Sequence, residues 1–180
     1  IENAEKLIAA LPKDVPLGFY ECPYPYKRLV TPRILKWCVS TGRFAWPCPN
    51  FYVLTSGFGP RWGRHHSGID ISSGGISGAP VVASLSGTVT KVNTGCSHNY
   101  AKSSSCGCGG GYGNYVLVQH SNGYSTMYAH MSSVAVYAGQ SVYQGQTLGY
   151  VGSTGFSTGP HLHYEVRLNG TRVDPELYLY

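Results

Sequence analysis

Apolar positions divide the chain into two stretches of different grain. In residues 1–11, Ile1, Ala4, Ile8 and Leu11 recur at helical spacing until Pro12 ends the run. Thr31 as N-cap and Pro32 at the first helical position predict a second short helix, running through Ile34, Leu35 and Trp37 to about Val39. Pro16, Pro23, Pro25, Pro47 and Pro49 interrupt the remainder of the first fifty residues, which predicts an irregular, aromatic-rich wrap. From Phe51 the pattern changes to short β-type runs between glycine turns: Val81–Ala83, Thr88–Val92, Tyr115–His120, Tyr124–Tyr128, Thr147–Val151 and Leu162–Leu168. Asn122-Gly123 and Asn169-Gly170 fall between such runs, and Asn-Gly closes tight hairpins because both residues tolerate positive φ. The pattern predicts a mainly β, antiparallel domain over residues 51–180, preceded by a small helical and irregular segment over 1–50. Within the domain, residues 96–113 form a Gly/Ser/Cys-rich insertion, expected to be a stapled loop.

Composition narrows the partners. The 180 residues carry 13 Lys+Arg against 8 Asp+Glu, a net charge of +5, and charged residues make up only 12% of a chain with 24 Gly and 15 Tyr. Such a charge-poor, aromatic composition excludes a disordered chain. No apolar run approaches the roughly 18 residues of a membrane span, and the chain opens at Ile1 without a signal-like stretch, as expected of a processed form. The basic residues are spread out, seven in residues 1–50 and six in 51–180, so nucleic acid is not an expected partner. At most the excess favours an anionic polymer such as a cell wall. Cys22, Cys38, Cys48, Cys96, Cys106 and Cys108 suit an exported protein and favour disulfides over thiols. Because Cys106 and Cys108 are too close in sequence to bridge comfortably, full oxidation would need at least one bond between the first fifty residues and the rest.

All seven histidines lie in the β part: His65, His66, His98, His120, His130, His161 and His163. In an extended strand residues four apart share a face, so His66 and Asp70 of His66-Ser67-Gly68-Ile69-Asp70 can converge. The same parity puts His161 and His163 on one face, with Glu165 following on that side. Three N/O ligands with an open fourth position are what a catalytic zinc requires. Spacing alone leaves open which of His161 and His163 would bind metal.

The motif His66-Ser67-Gly68-Ile69-Asp70, the later Tyr128-Ala129-His130 and the run Gly159-Pro160-His161-Leu162-His163-Tyr164-Glu165 resemble the LytM/lysostaphin-type zinc metallopeptidases of the M23 family. Ser56-Gly57-Phe58-Gly59-Pro60-Arg61, Gly113-Asn114-Tyr115-Val116 and Gly149-Tyr150-Val151-Gly152-Ser153-Thr154-Gly155 extend the resemblance, which covers about residues 51–175 in order. It implies a compact antiparallel β fold with a groove across its sheet and one zinc ion held by His66, Asp70 and His163. His130 and His161 are then the catalytic groups, His161 as general base and His130 as donor to the oxyanion, with the two roles interchangeable. The implied substrate is bacterial peptidoglycan, cut at its peptide cross-links or stems by a zinc-activated water, and the implied location is secreted or at the cell surface. The alternative is a non-catalytic LytM-type scaffold or activator of wall hydrolases, which typically has degenerate ligand or catalytic positions; here all are intact.

Other residues have plainer readings. Asn114 and Tyr128 are candidates to face the groove and touch substrate, and Arg61 either binds a substrate carboxylate or fixes its own loop. Glu165 is expected to support the histidines from behind or to be purely structural, and His120 to make a structural hydrogen bond. Cys96-Ser97-His98 with Cys106-Gly107-Cys108 offers four ligands for a second zinc, against which the glycine-rich context and export favour disulfides. Asn169-Gly170-Thr171 matches a glycosylation acceptor that a hairpin turn already explains.

Overall fold

The computed structural model describes residues 44–61, 63–98 and 106–179. Both expected helices, Cys22 and Cys38 lie outside these residues. Twelve strands follow one another: β1 (Leu54–Ser56), β2 (Gly59–Arg61), β3 (Arg64–His66), β4 (Ile69–Ile71), β5 (Pro80–Val82), β6 (Gly87–Asn93), β7 (Asn114–Gln119), β8 (Tyr124–Val134), β9 (Ser141–Val142), β10 (Thr147–Val151), β11 (Leu162–Leu168) and β12 (Thr171–Val173). Every pairing among these strands is antiparallel. The main sheet runs β1-β4-β11-β8-β7-β6-β9, with β12 beside β11, β10 joined to both β8 and β5, and β2–β3 forming a separate hairpin. The mainly β, antiparallel class expected from the sequence is the observed one. No helix among the described residues is long and apolar enough to cross a membrane.

The two Asn-Gly pairs do what their chemistry predicts. Asn122 and Gly123 (φ 57° and 78°) close the β7–β8 hairpin, and Asn169 and Gly170 (φ 49° and 82°) close β11–β12. Positive φ at both central residues gives the turn a twist that matches the strands.

Strand alternation then sorts the two faces of the central strands. Ile69, Ile71, Leu162, Tyr164, Val166, Tyr128, Val116 and Val118 face one continuous apolar core. The opposite face is set by register: His163 stands directly across from Asp70 on β4 and Ala129 on β8, Glu165 across from Met127, and Arg167 across from Arg172 on β12. Both faces are buried near the site, yet one is hydrocarbon and the other carries charge. Residues 44–50, within the expected lead-in segment, join the core through Phe44 and Cys48, and Trp46 packs against it.

Two local features depart from simple alternation. His66 and Asp70 belong to two strands rather than one, because Ser67-Gly68 breaks the run so that β3 pairs with β2 and β4 with β11. Gly68 is required there: a Cβ at this position would lie 2.2 Å from the Tyr164 carbonyl oxygen. Further on, β8 continues past its expected end at Tyr128 to Val134, and His130 within it has φ 60°. The pairing of β7 with β8 shifts register between Asn114 and Val116 at the same level, a bulge that turns the His130 side chain out of the regular alternation.

The disulfide expectation is not met among the described residues. Cys48, Cys96, Cys106 and Cys108 are not joined in disulfides. Cys48 is a core residue whose burial pushes its thiol up to about 11, an inert position.

Candidate active site

Cross-strand register brings three ligand-type atoms to one point. His66 Nε2 lies 3.1 Å from both His163 Nδ1 and Asp70 Oδ1, and His163 Nδ1 lies 2.9 Å from Asp70 Oδ1. His130 and His161 stand beside them with ring centroids 4.6 Å apart, and His161 Nε2 is 3.8 Å from Asp70 Oδ1. Five residues from four separate stretches of chain thus share one open groove of about 820 Å³.

Each histidine is oriented by an acceptor behind it. His66 Nδ1–H donates to the Gly57 carbonyl at 2.7 Å, His130 Nδ1–H to the Thr154 carbonyl at 2.7 Å, and His161 Nδ1–H to the Gly159 carbonyl at 2.8 Å. His163 is reversed, its Nε2–H donating to Glu165 Oε1 at 3.3 Å. Since a carbonyl only accepts, the proton of each neutral ring is fixed on the outer nitrogen and the inner nitrogen presents a lone pair. Four lone pairs and a carboxylate therefore face one small volume, an arrangement that repels itself until a positive charge enters.

The titration behaviour has the same cause. Burial opposes ionisation of Asp70, but the close polar contacts with His163 and His66, which favour a positive charge between them, outweigh it and hold the carboxyl well below the usual range. Burial likewise opposes charge on His163, and the Asp70 and Glu165 carboxylates outweigh it and raise its pKa. His130 is pushed down to about 3 by burial and then by repulsion from His161 and His163, and His161 is lowered chiefly by burial. The centre favours a cation between His66, Asp70 and His163, and keeps His130 and His161 neutral.

These residues fit zinc. Two imidazole nitrogens and one carboxylate oxygen form a catalytic donor set, and ligands at about 2.0–2.1 Å in tetrahedral geometry stand about 3.3 Å apart. The observed separations of 2.9 to 3.1 Å are close to that spacing. His66, Asp70 and His163 could hold the ion, with the fourth position open to the groove.

Glu165 closes the site from behind. It is fully buried and accepts from Ser67 Oγ (2.6 Å), Tyr112 OH (2.8 Å), Arg167 Nη2 (2.6 Å) and Arg172 Nε (3.2 Å) as well as His163. Burial raises its pKa, yet these partners, His163 and Ser67 foremost, leave it well below the normal range. Arg61 fixes its own loop, its Nη1 donating to Ser56 Oγ, and in addition donates, at 3.3 Å, to the outer Asp70 oxygen, a contact that neither sequence reading named. His120 makes the expected structural bonds, to the Ser86 carbonyl at 2.9 Å and Thr126 Oγ1 at 2.7 Å.

Asn114 and Tyr128 do not face the groove, and their assignment as substrate contacts is corrected. Tyr128 is fully buried in the core opposite Tyr164, its hydroxyl accepting from the Ser84 amide at 2.7 Å. Asn114 is 4% exposed; its amide nitrogen donates to the Cys96, Met131 and Ser132 carbonyls, and its oxygen accepts from Cys96 N–H at 2.9 Å. Sequence reasoning missed Tyr112, which lines the groove 5.7 Å from the His163 ring and bonds Glu165. Its position depends on the cross-strand fold and no local pattern announces it.

Comparison with known proteins agrees with this geometry. A Vibrio cholerae protein named peptidoglycan DD-endopeptidase ShyA is 40% identical over 109 residues, 61% of this chain and 22% of that protein. A solved structure described as a zinc containing peptidase from Vibrio cholerae superposes with a TM-score of 0.59 at 34% identity, over 73% of this chain and 39% of that one. The catalytic domain of the antimicrobial peptidase lysostaphin from Staphylococcus simulans superposes with a TM-score of 0.58 at 30% identity, over 71% of this chain and 91% of that one. The chain spans about a fifth of the length of the curated relatives it matches. Residues 64–175 match the model of Peptidase family M23, and the chain belongs to that family.

Proposed function

We propose that this protein is a zinc metalloendopeptidase that hydrolyses peptide bonds in the cross-links or stems of bacterial peptidoglycan, acting outside the cytoplasm, secreted or at the cell surface. The observation that carries the reading is the convergence of histidine lone pairs on Asp70, each histidine fixed by an acceptor behind it. The relatives' names support the peptidoglycan substrate, and the donor set supports zinc. Zinc held by His66, Asp70 and His163 supplies Lewis acidity, lowering the pKa of water from about 16 towards 7.

The remaining chemistry belongs to the chain. His161, neutral and with its Nε2 lone pair facing the Asp70 side of the groove, accepts the proton of the attacking water as general base. The water oxygen bonds to the peptide carbonyl carbon as its proton moves to His161, and His130, its ring centroid 4.6 Å from that of His161, meets the charge on the carbonyl oxygen by taking over that same proton. Because burial lowers the pKa of both rings, whichever of them holds that one proton gives it up readily to the departing amine nitrogen as the C–N bond breaks. The small residues Gly110, Gly111, Ser157 and Gly159 among those lining the groove leave room for an extended peptide.

The test is to incubate zinc-loaded protein with purified sacculi of several wall chemotypes and to identify released muropeptides by mass spectrometry. Cleavage that stops with chelator, returns with zinc and is lost in His161→Ala is the expected result. Zinc-loaded protein that binds sacculi and releases nothing from any wall type overturns the proposal and favours the scaffold.

A further inference from the structure

The insertion between β6 and β7 carries a second group of ligand-type side chains, away from the histidine centre. Cys96, His98, Cys106 and Cys108 each offer one atom, and these four atoms lie within 4.8 Å of one another. The Cys96 and Cys106 sulfurs are 3.6 Å apart. Two thiolates on a tetrahedral zinc at about 2.3 Å stand about 3.8 Å apart, whereas a disulfide needs about 2.05 Å. The separation matches shared coordination. Cysteine count points the same way: the cluster has three sulfurs, so one disulfide within it would leave a thiol over, while one ion uses all three and the imidazole. Gly107, with φ 73°, reverses the chain between Cys106 and Cys108 so that both sulfurs turn to one point.

We propose that Cys96, His98, Cys106 and Cys108 form a closed, four-coordinate structural zinc site, distinct from the histidine centre. Thiolate-rich donors select zinc over hard cations such as magnesium or calcium, and a full set of four protein ligands leaves no position for water or substrate. The site has a job to do in this fold. The glycine-rich turn that follows Cys108 runs straight into the groove wall, where Tyr112 OH donates to Glu165, the Gly111 carbonyl accepts from Phe156 N–H, and the Tyr112 carbonyl accepts from His130 N–H. At its other end the Cys96 backbone is tied to the Asn114 side chain in both directions, its N–H donating to Oδ1 and its carbonyl accepting from Nδ2. A metal closing this loop fixes the wall that holds Tyr112 and, through it, Glu165 and His163.

Metal content and cobalt spectroscopy on the whole chain test the site. Atomic emission on protein purified under non-chelating conditions is expected to give two zinc equivalents per chain, falling to one in His163→Ala and to one in Cys106→Ser. Cobalt substitution supplies a second readout: of the two sites this one alone has sulfur ligands, so a thiolate-to-cobalt charge-transfer band is expected, retained in His163→Ala and lost in Cys106→Ser and Cys108→Ser. If a cysteine variant does not fold, the band in the His163→Ala protein still decides the matter. One zinc equivalent with no charge-transfer band, or a Cys96–Cys106 disulfide located by peptide mapping of the unreduced protein, overturns the proposal. Either result leaves the histidine site untouched.

Discussion

Glu165→Gln is the sharpest test of how the histidine centre is held, because the change keeps the side chain's shape while removing its charge and turning one acceptor oxygen into a donor. In the native chain the carboxylate sits fully buried, accepts His163 Nε2–H and is neutralised by Arg167 and Arg172. The two arginines do not count equally. Arg172 is 46% exposed and water screens most of its contribution, while Arg167 is 21% exposed and bonds Glu165 through both Nε and Nη2. Removing the anion strands the Arg167 charge against a neutral amide, which for a buried pair costs about 3 kcal/mol. It also weakens the grip on the His163 tautomer, for which loss of an orienting carboxylate costs about 10- to 100-fold in metal affinity. Two measurements separate these effects: urea unfolding of the metal-free protein, and zinc affinity by competition with a chromogenic chelator. The expected outcome is a stability loss near 3 kcal/mol and a zinc dissociation constant raised by at least about tenfold. A variant that loses stability but binds zinc as the parent does would refute the orienting role and reduce Glu165 to a structural charge.

His120 gives a pH-dependent prediction away from the metal. Burial pushes its pKa from 6.5 down to about 4, so the unfolded chain binds the proton more readily. Its contribution is complete above pH 6.5 and is lost as pH falls towards 4, by up to about 3 kcal/mol; denaturation curves across this range should be less pH-steep in His120→Gln, and equal slopes would count against the assignment. Asn114→Ala should destabilise the fold by at least about 2 kcal/mol, because it removes the side-chain partner of the Cys96 N–H and carbonyl and one donor to the Met131 carbonyl, which keeps Thr154 Oγ1. A changed Michaelis constant with unchanged stability would instead restore Asn114 to the groove. Gly68→Ala should cost about 1–3 kcal/mol and also weaken zinc binding, since the new methyl meets the Tyr164 carbonyl and can be accommodated only by parting β4 from β11, hence Asp70 from His163. Calorimetry with and without zinc reads both effects.

Much of the fold was legible because its punctuation is local. The Asn-Gly hairpins and most of the longer alternating runs were found within a residue or two, β11 and β10 at their observed bounds, while β8 runs six residues past its expected end. The three-residue strands β1 to β4 were not found as separate elements, since runs so short carry no period and exist by pairing with distant partners. Tyr128 shows where periodicity misleads. It has the same parity as His130, so an unbroken strand would turn both to the groove; the bulge at His130, with its positive φ, sends Tyr128 to the core and His130 to the site.

The histidine centre was legible in its side chains and not in its supports, for a reason that lies in the chemistry. A ligand or base must be one of a few residue types, so His66, Asp70, His130, His161 and His163 stand out in any sequence that contains them. What makes each ring usable is an acceptor on its far side, and in three of four cases that acceptor is a main-chain carbonyl, of Gly57, Thr154 or Gly159. Every residue has a carbonyl, so composition cannot mark those that matter. The glycines nearby mark them indirectly: at Gly155, directly after Thr154, a Cβ would fall 2.3 Å from the Gly113 nitrogen. The backbone must pass that closely for the Thr154 carbonyl to reach His130. A side chain at Gly155 would therefore move an acceptor and release the ring it holds, although the substituted residue touches neither metal ligand nor substrate.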